Sequence, residues 1–195
     1  MANKRKRKFP IGIGDTLLSE DRMRMIDPRT VLRSFGVREG VTLIDVGCGP
    51  GAFLEAASES VGENGTVIAV DIQEPFINMA RRLAEEKGLR NIRFIVSKES
   101  SIPVESGSAD VALIVTSLHE FEGDGTLKEV RRILRKGGKL AVVEWEKMKS
   151  PIGPPLAERL SQEEAEKMLS ECNFAVEKIF QAGKYHYGIE AKKLK

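Results

Sequence analysis

The 195-residue sequence predicts an α/β protein built on a parallel sheet. Three observations predict it. Short apolar, β-branched runs alternate with amphipathic helical segments, the pattern of strands joined by helical crossovers. The first run passes directly into a glycine-rich turn that opens a helix. The chain then ends on two strand-like runs with a short connection, which suits an antiparallel hairpin.

The elements follow in order. Lys4, Arg5, Lys6, Arg7 and Lys8 form an unbroken basic run with nothing to pack, read as a tail. Phe9 to Asp27 carries aliphatic Ile11, Ile13, Leu17 and Leu18 and is read as a lid segment. Asp27-Pro28 is an N-cap followed by proline at the first helical position, with Val31, Leu32 and Phe35 apolar and Gly36 as the stop. Leu43–Val46, Val67–Val70, Ile92–Val96, Val111–Val115 and Leu140–Val143 read as strands buried on both faces. Between them, Phe53, Ala56, Ala57 and Ser60 share one helical face, as do Phe76, Ala80 and Leu83, and Leu127, Val130 and Leu134. Arg131, Arg132, Arg135 and Lys136 are expected to close the last of these helices before Gly137. Ser161 to Glu164 is a capping-box start, and Ala165, Met168, Leu169 and Cys172 follow at helical spacing, so Cys172 is read as core. Phe174–Phe180 and Tyr185–Ala191 are the two final strands, joined by residues 181–184.

Composition bounds the function. Length fits one domain. Hydrophobic residues at 41% and charged residues at 31% describe a soluble globular chain and lean towards a thermophilic source. Lys+Arg 31 against Asp+Glu 29 leaves +2, and without the five charges of residues 4–8 the remainder is 26 − 29 = −3, so a nucleic-acid partner is not expected. Two cysteines and two histidines offer no metal-ligand spacing, and no metal is expected. No apolar run approaches a membrane span, and no signal peptide is apparent, so a cytoplasmic protein without membrane partners is expected.

Leu43-Ile44-Asp45-Val46-Gly47-Cys48-Gly49-Pro50-Gly51-Ala52 is the strongest local signal. Its glycines let the backbone turn tightly and approach a ligand, but alone they do not separate a nicotinamide cofactor from another adenosine ligand. Asp45 helps to choose: a carboxylate there would sit poorly beside a pyrophosphate and could hold the ammonium of S-adenosylmethionine. Asp71, which ends the second strand, can accept two hydrogen bonds from ribose hydroxyls.

With Ser108-Ala109-Asp110-Val111 and Leu134-Arg135-Lys136-Gly137-Gly138-Lys139-Leu140, these motifs resemble the class I S-adenosylmethionine-dependent methyltransferases. They are most similar to the small-molecule branch of ubiquinone/menaquinone C-methyltransferases and arsenite methyltransferases. The resemblance covers residues 28–195, which would form the methyltransferase domain behind the 1–27 tail and lid. It implies a Rossmann-like seven-stranded sheet of order 3-2-1-4-5-7-6. S-adenosylmethionine would lie on Asp45, Gly47, Cys48, Gly49, Gly51, Asp71, Ile72, Ser97, Lys98, Glu99 and Thr116. Lys98 stands where the family often has an Asp for the adenine amino group; a lysine cannot accept that bond, so the backbone of Ser97 and Lys98 and the Glu99 carboxylate are expected to take over.

Methyl transfer needs a side-chain base only where the acceptor nucleophile starts protonated. Val115 to Phe121 lies where the family places residues beside the methyl group. His119 is the candidate base, with Glu120 orienting it or binding a cationic substrate. The bland alternative is that His119 bonds the loop and Glu120 caps a helix. Trp145, Tyr185 and Tyr187 are candidate pocket residues. The expected function is methyl transfer to a small molecule. The alternatives are a non-catalytic S-adenosylmethionine-binding protein, an RNA-modifying enzyme using the basic tail, and a nicotinamide oxidoreductase disfavoured by Asp45. Monomer and homodimer stay open.

Overall fold

The computed structural model describes residues 8–194; Lys4 to Arg7 of the basic run lie outside them. Strands β1 (Thr42–Val46), β2 (Thr66–Asp71), β3 (Ile92–Val96), β4 (Ala109–Val115), β5 (Leu134–Trp145), β6 (Phe174–Gly183) and β7 (His186–Lys193) form one sheet of order β3-β2-β1-β4-β5-β7-β6. β1 to β5 run parallel, and β7 lies antiparallel between β5 and β6.

Side chains of the central strands alternate between two cores. Leu43, Val67, Ala69, Leu113 and Val143 pack with helices α2 (Pro28–Ser34), α3 (Leu54–Val61) and α4 (Glu74–Glu86). Ile44, Ile68, Ile114 and Val142 pack with α5 (Gly125–Ile133) and α6 (Gln162–Glu171) on the opposite face. The caps form as the sequence predicts: Asp27 accepts from Thr30 N at 3.1 Å, and Ser161 and Glu164 close both halves of a capping box. After β3 the chain crosses back past β1 to β4, so the carboxyl ends of β1 and β4 diverge and leave a crevice, the position where open α/β sheets take ligands.

Two local expectations are corrected. Helix α5 ends at Ile133, and Leu134 is already extended, so Arg135 and Lys136 belong to the start of β5 rather than to the helix. The β4–β5 register jumps from Ala109↔Leu134 to Val111↔Lys139, and this bulge absorbs the Lys136-Gly137-Gly138 turn. The terminal hairpin turns at Lys184 and Tyr185, because Gln181 and Gly183 still pair with Tyr187 and His186.

Candidate functional site

The glycine loop hangs from the ends of β1 and β2. Gly47 N and Cys48 N both donate to Val70 O, at 2.8 and 3.0 Å. Gly47 has φ 77°, and a Cβ there would meet Ser117 Oγ at 2.7 Å, so only glycine allows the β1 turn to pass the end of β4. Asp71 holds the loop: its Oδ2 accepts from Gly49 N at 2.9 Å and its Oδ1 from Gln73 N at 2.8 Å. Burial raises the Asp71 pKa, and those amide bonds oppose the rise. Asp45 is buried beside it, and no described residue donates a hydrogen bond to its carboxylate. Burial, then the neighbouring Asp71 charge, push its pKa up to about 7. The Cys48 thiol is pushed up by burial and by both aspartates, which removes it as a nucleophile.

The loop opens into a cavity of about 650 Å³ that continues over the ends of β4 and β5. His119 Nδ1 lies 3.0 Å from both oxygens of Glu144, and His119 N also donates to Glu144 Oε1 at 3.2 Å. Trp145 N donates to Glu144 Oε2 at 3.0 Å, and Glu144 is wholly buried. Glu144 is thus the residue that orients the imidazole. Glu120, expected in that role, lies 3.9 Å from Nε2 and accepts instead from Phe9 N at 3.3 Å. Burial raises the Glu120 pKa, against the pull of His119, the Phe9 amide and Lys8.

The N-terminal segment covers this cavity. Lys8 Nζ bonds Glu99 Oε2 at 2.7 Å and Glu120 O at 3.0 Å, the Phe9 ring packs tilted on Phe76, and Phe9 O accepts from Gln73 Nε2 at 3.3 Å. Arg22, in helix α1 (Glu20–Met25), is buried and donates through Nη2 to Thr116 Oγ1 at 2.7 Å. Thr116 sits in the left-handed region at φ 49°, a costly conformation for a β-branched residue. Arg22 was not among the expected site residues, and its only local signal is the Ser19 cap that starts its helix.

Other expected positions sort as follows. Ile72, Ser97, Lys98, Glu99 and Trp145 line the cavity. The Ser97 and Lys98 amides are already committed, to Asp71 O at 2.9 Å and Ser101 O at 3.0 Å, and Glu99 Oε1 accepts from Glu122 N at 2.8 Å. The amides are therefore not donors for a ligand, and Glu99 works as a clamp between Lys8 and the following loop. Tyr187 does not reach the cavity: it is a core residue whose hydroxyl donates to Leu160 O at 3.1 Å. Tyr185 sits at the hairpin turn under Lys184, outside the cavity lining.

Trp145 is held from below by His186, at 4.1 Å between ring centroids, and from the side by Arg159, at 5.0 Å. Arg159 is buried and donates to Pro154 O, Glu146 O, Met148 O and Ser150 Oγ, which folds the proline-rich loop around one guanidinium. Arg159→Ala is expected to lower stability by about 2 kcal/mol in urea unfolding, since it strips charged hydrogen bonds from several carbonyls at once.

A switch-point crevice, a glycine loop without phosphate-type neighbours and an antiparallel last strand inserted beside β5 define the class I methyltransferase fold. Residues 38–193 match the family described as a methyltransferase domain. A crystal structure of an S-adenosylmethionine-dependent methyltransferase from Aquifex aeolicus is 33% identical with a TM-score of 0.93, covering 96% of this chain and 100% of that one. A demethylmenaquinone methyltransferase of Lactococcus lactis is 33% identical over 62% of this chain and 48% of its own length. A nocamycin O-methyltransferase of Saccharothrix syringae is 33% identical over 65% of this chain and 44% of its own. The chain spans about half the length of these curated relatives. The chain belongs to the class I S-adenosylmethionine-dependent methyltransferase family.

Among the described residues no group of three or more His, Cys, Asp or Glu is placed to hold a metal, and no helix is long and apolar enough to cross a membrane.

Proposed function

We propose that the protein is an enzyme that transfers a methyl group from S-adenosylmethionine to a small-molecule acceptor whose nucleophile starts protonated. The observation that carries this reading is one cavity with two chemically distinct ends: buried Asp45 and Asp71 at the glycine loop, and the His119–Glu144 pair at the ends of β4 and β5. The residues fit the cofactor, because a buried carboxylate without a hydrogen-bond donor calls for a cation, and Asp45 would hold the ammonium group. Asp71 would take the ribose hydroxyls; Gly47, Cys48, Gly49 and Ile72 would line the adenosyl side, with Ser97, Lys98 and Glu99 beyond them and Thr116 towards the acceptor, whereas Gly51, expected there, faces Leu54 and Leu83 and is not part of the cavity lining. S-adenosylmethionine, when bound, supplies an electrophilic methyl group.

The remaining work belongs to the chain. Glu144 accepts from Nδ1–H, which fixes the neutral tautomer with its basic lone pair on Nε2. His119 then takes the acceptor proton as the methyl is transferred. Trp145 and the Phe9–Leu18 segment exclude water, and the closing contacts of Lys8, Phe9 and Arg22 support a lid formed by residues up to Asp27, ahead of the 28–195 domain. Two buried free cysteines support a reducing cytoplasmic setting, and the high charged fraction supports a thermophilic one.

Thermal-shift titration with S-adenosylmethionine, S-adenosylhomocysteine and NAD, followed by a methyl-donor turnover screen over metabolite pools, tests the reading. A shift with NAD alone overturns it. Glu99→Ala, which releases Lys8, is expected to weaken S-adenosylhomocysteine binding several-fold by calorimetry with Tm nearly unchanged; unaltered affinity removes Glu99 from the site.

A further inference from the structure

The acceptor end of the cavity holds a buried cation without a carboxylate partner. Arg22 reaches it from the covering segment, is 8% exposed, and spends Nη2 on Thr116 Oγ1, while its Nε has no acceptor and lies out of solvent. The charged and titratable groups around it do not neutralise it. Glu144 is the nearest carboxylate in electrostatic terms, yet both its oxygens are taken by His119 and Trp145, and no ion pair within 4.0 Å joins it to Arg22 among the described residues. His186 is buried behind Trp145, and burial, then the Arg22 charge, bring its pKa down to about 4, so it stays neutral. Burial lowers the Arg22 pKa only to about 10, which leaves the guanidinium charged at neutral pH. The bond to Thr116 Oγ1 fixes the orientation of that guanidinium, which lines the cavity. A charged planar guanidinium held in this way suits an anionic oxygen group. The cavity lining is mainly apolar and includes Ile13, Val115, Trp145 and Pro154.

We infer that Arg22 anchors the acceptor, and that the acceptor is a small, largely apolar organic acid whose anionic group pairs with the guanidinium. This rests on the methyl-transfer reading above, of which it names the substrate class.

The test uses the full chain loaded with S-adenosylhomocysteine. Benzoate, phenylacetate and phenylpyruvate are titrated by calorimetry and thermal shift against benzamide, phenylacetamide and phenylpyruvamide. Acids are expected to bind at least about tenfold more tightly than their neutral amides, the usual scale of a hydrogen bond to a charged group. Arg22→Gln is expected to abolish that preference, and Arg22→Lys to restore part of it, each measured with S-adenosylhomocysteine at a concentration that saturates the variant. Equal binding of acids and amides to the wild type, no binding of any acid, or an acid preference that survives Arg22→Gln overturns the proposal. Failure of the wild type to bind S-adenosylhomocysteine at all instead overturns the cofactor reading, so the two failures are distinct. The wild-type acid-to-amide comparison decides the matter even if Arg22→Gln does not fold.

Discussion

His119→Ala is expected to lower kcat by about 10²- to 10⁴-fold, the range for losing a positioned proton acceptor, with S-adenosylhomocysteine affinity nearly unchanged. The size of the effect follows from the geometry. The imidazole is buried and held at Nδ1 by a carboxylate that two backbone amides, of His119 and Trp145, already fix in place, so little reorganisation accompanies proton transfer to Nε2. Glu144→Gln separates orientation from basicity. A glutamine oxygen can still accept from Nδ1–H, but the amide carries no charge to stabilise an imidazolium, so an intermediate loss with a shifted pH profile is expected. Single-turnover rates across pH 5–9 check both variants. A His119→Ala enzyme with wild-type kcat would reduce the pair to a structural brace under Trp145.

Much of this site was legible as a pattern of misplaced charge. Leu43-Ile44-Asp45-Val46 and Val142-Val143-Glu144-Trp145 are both apolar strand runs interrupted by a carboxylate near the carboxyl end, where a buried charge has no structural purpose unless something pairs with it. The first is marked by its glycine neighbours. The second carries the same signal, but its partner His119 lies 25 residues away on another strand end, and only the β4–β5 register brings them together. Arg22 was less legible still. It lies in a charged stretch, Glu20-Asp21-Arg22-Met23-Arg24, where nothing local distinguishes it from the exposed Arg24 that pairs with Glu20. The tyrosines failed for a different reason. Period-two alternation placed Tyr187 on a face, as it should, but the face towards α6 is core, and the hydroxyl finds its acceptor at Leu160. The sheet itself was the easiest part, because long apolar runs and their crossovers admit few topologies.

Cofactor affinity is expected to rise with pH through the range in which Asp45 ionises. In the ligand-free protein burial and the Asp71 charge lift its pKa from 3.8 to about 7, so at pH 5 the group is protonated and must release that proton to hold an ammonium. Affinity for S-adenosylhomocysteine should therefore increase by up to about tenfold per pH unit between pH 5 and 7 and level off above. The sign for stability is the reverse. The folded state binds this proton more tightly than the unfolded one, so stability is greatest below about pH 4 as far as this group is concerned, and falls as pH rises towards 7. The raised pKa of Asp71 acts in the same direction. The Asp45 shift corresponds to a cost on the order of 4 kcal/mol once the carboxylate is ionised. Asp45→Asn keeps the shape and removes the charge. It is expected to raise Tm by several degrees at pH 8, to lose that advantage near pH 4, and to bind S-adenosylhomocysteine weakly with no slope between pH 5 and 7. A variant that gains no stability at pH 8 would mean that Asp45 carries no burial penalty in the free protein. The steep affinity profile of the wild type would then have to come from Asp71, whose own Asn variant would be the one to flatten it.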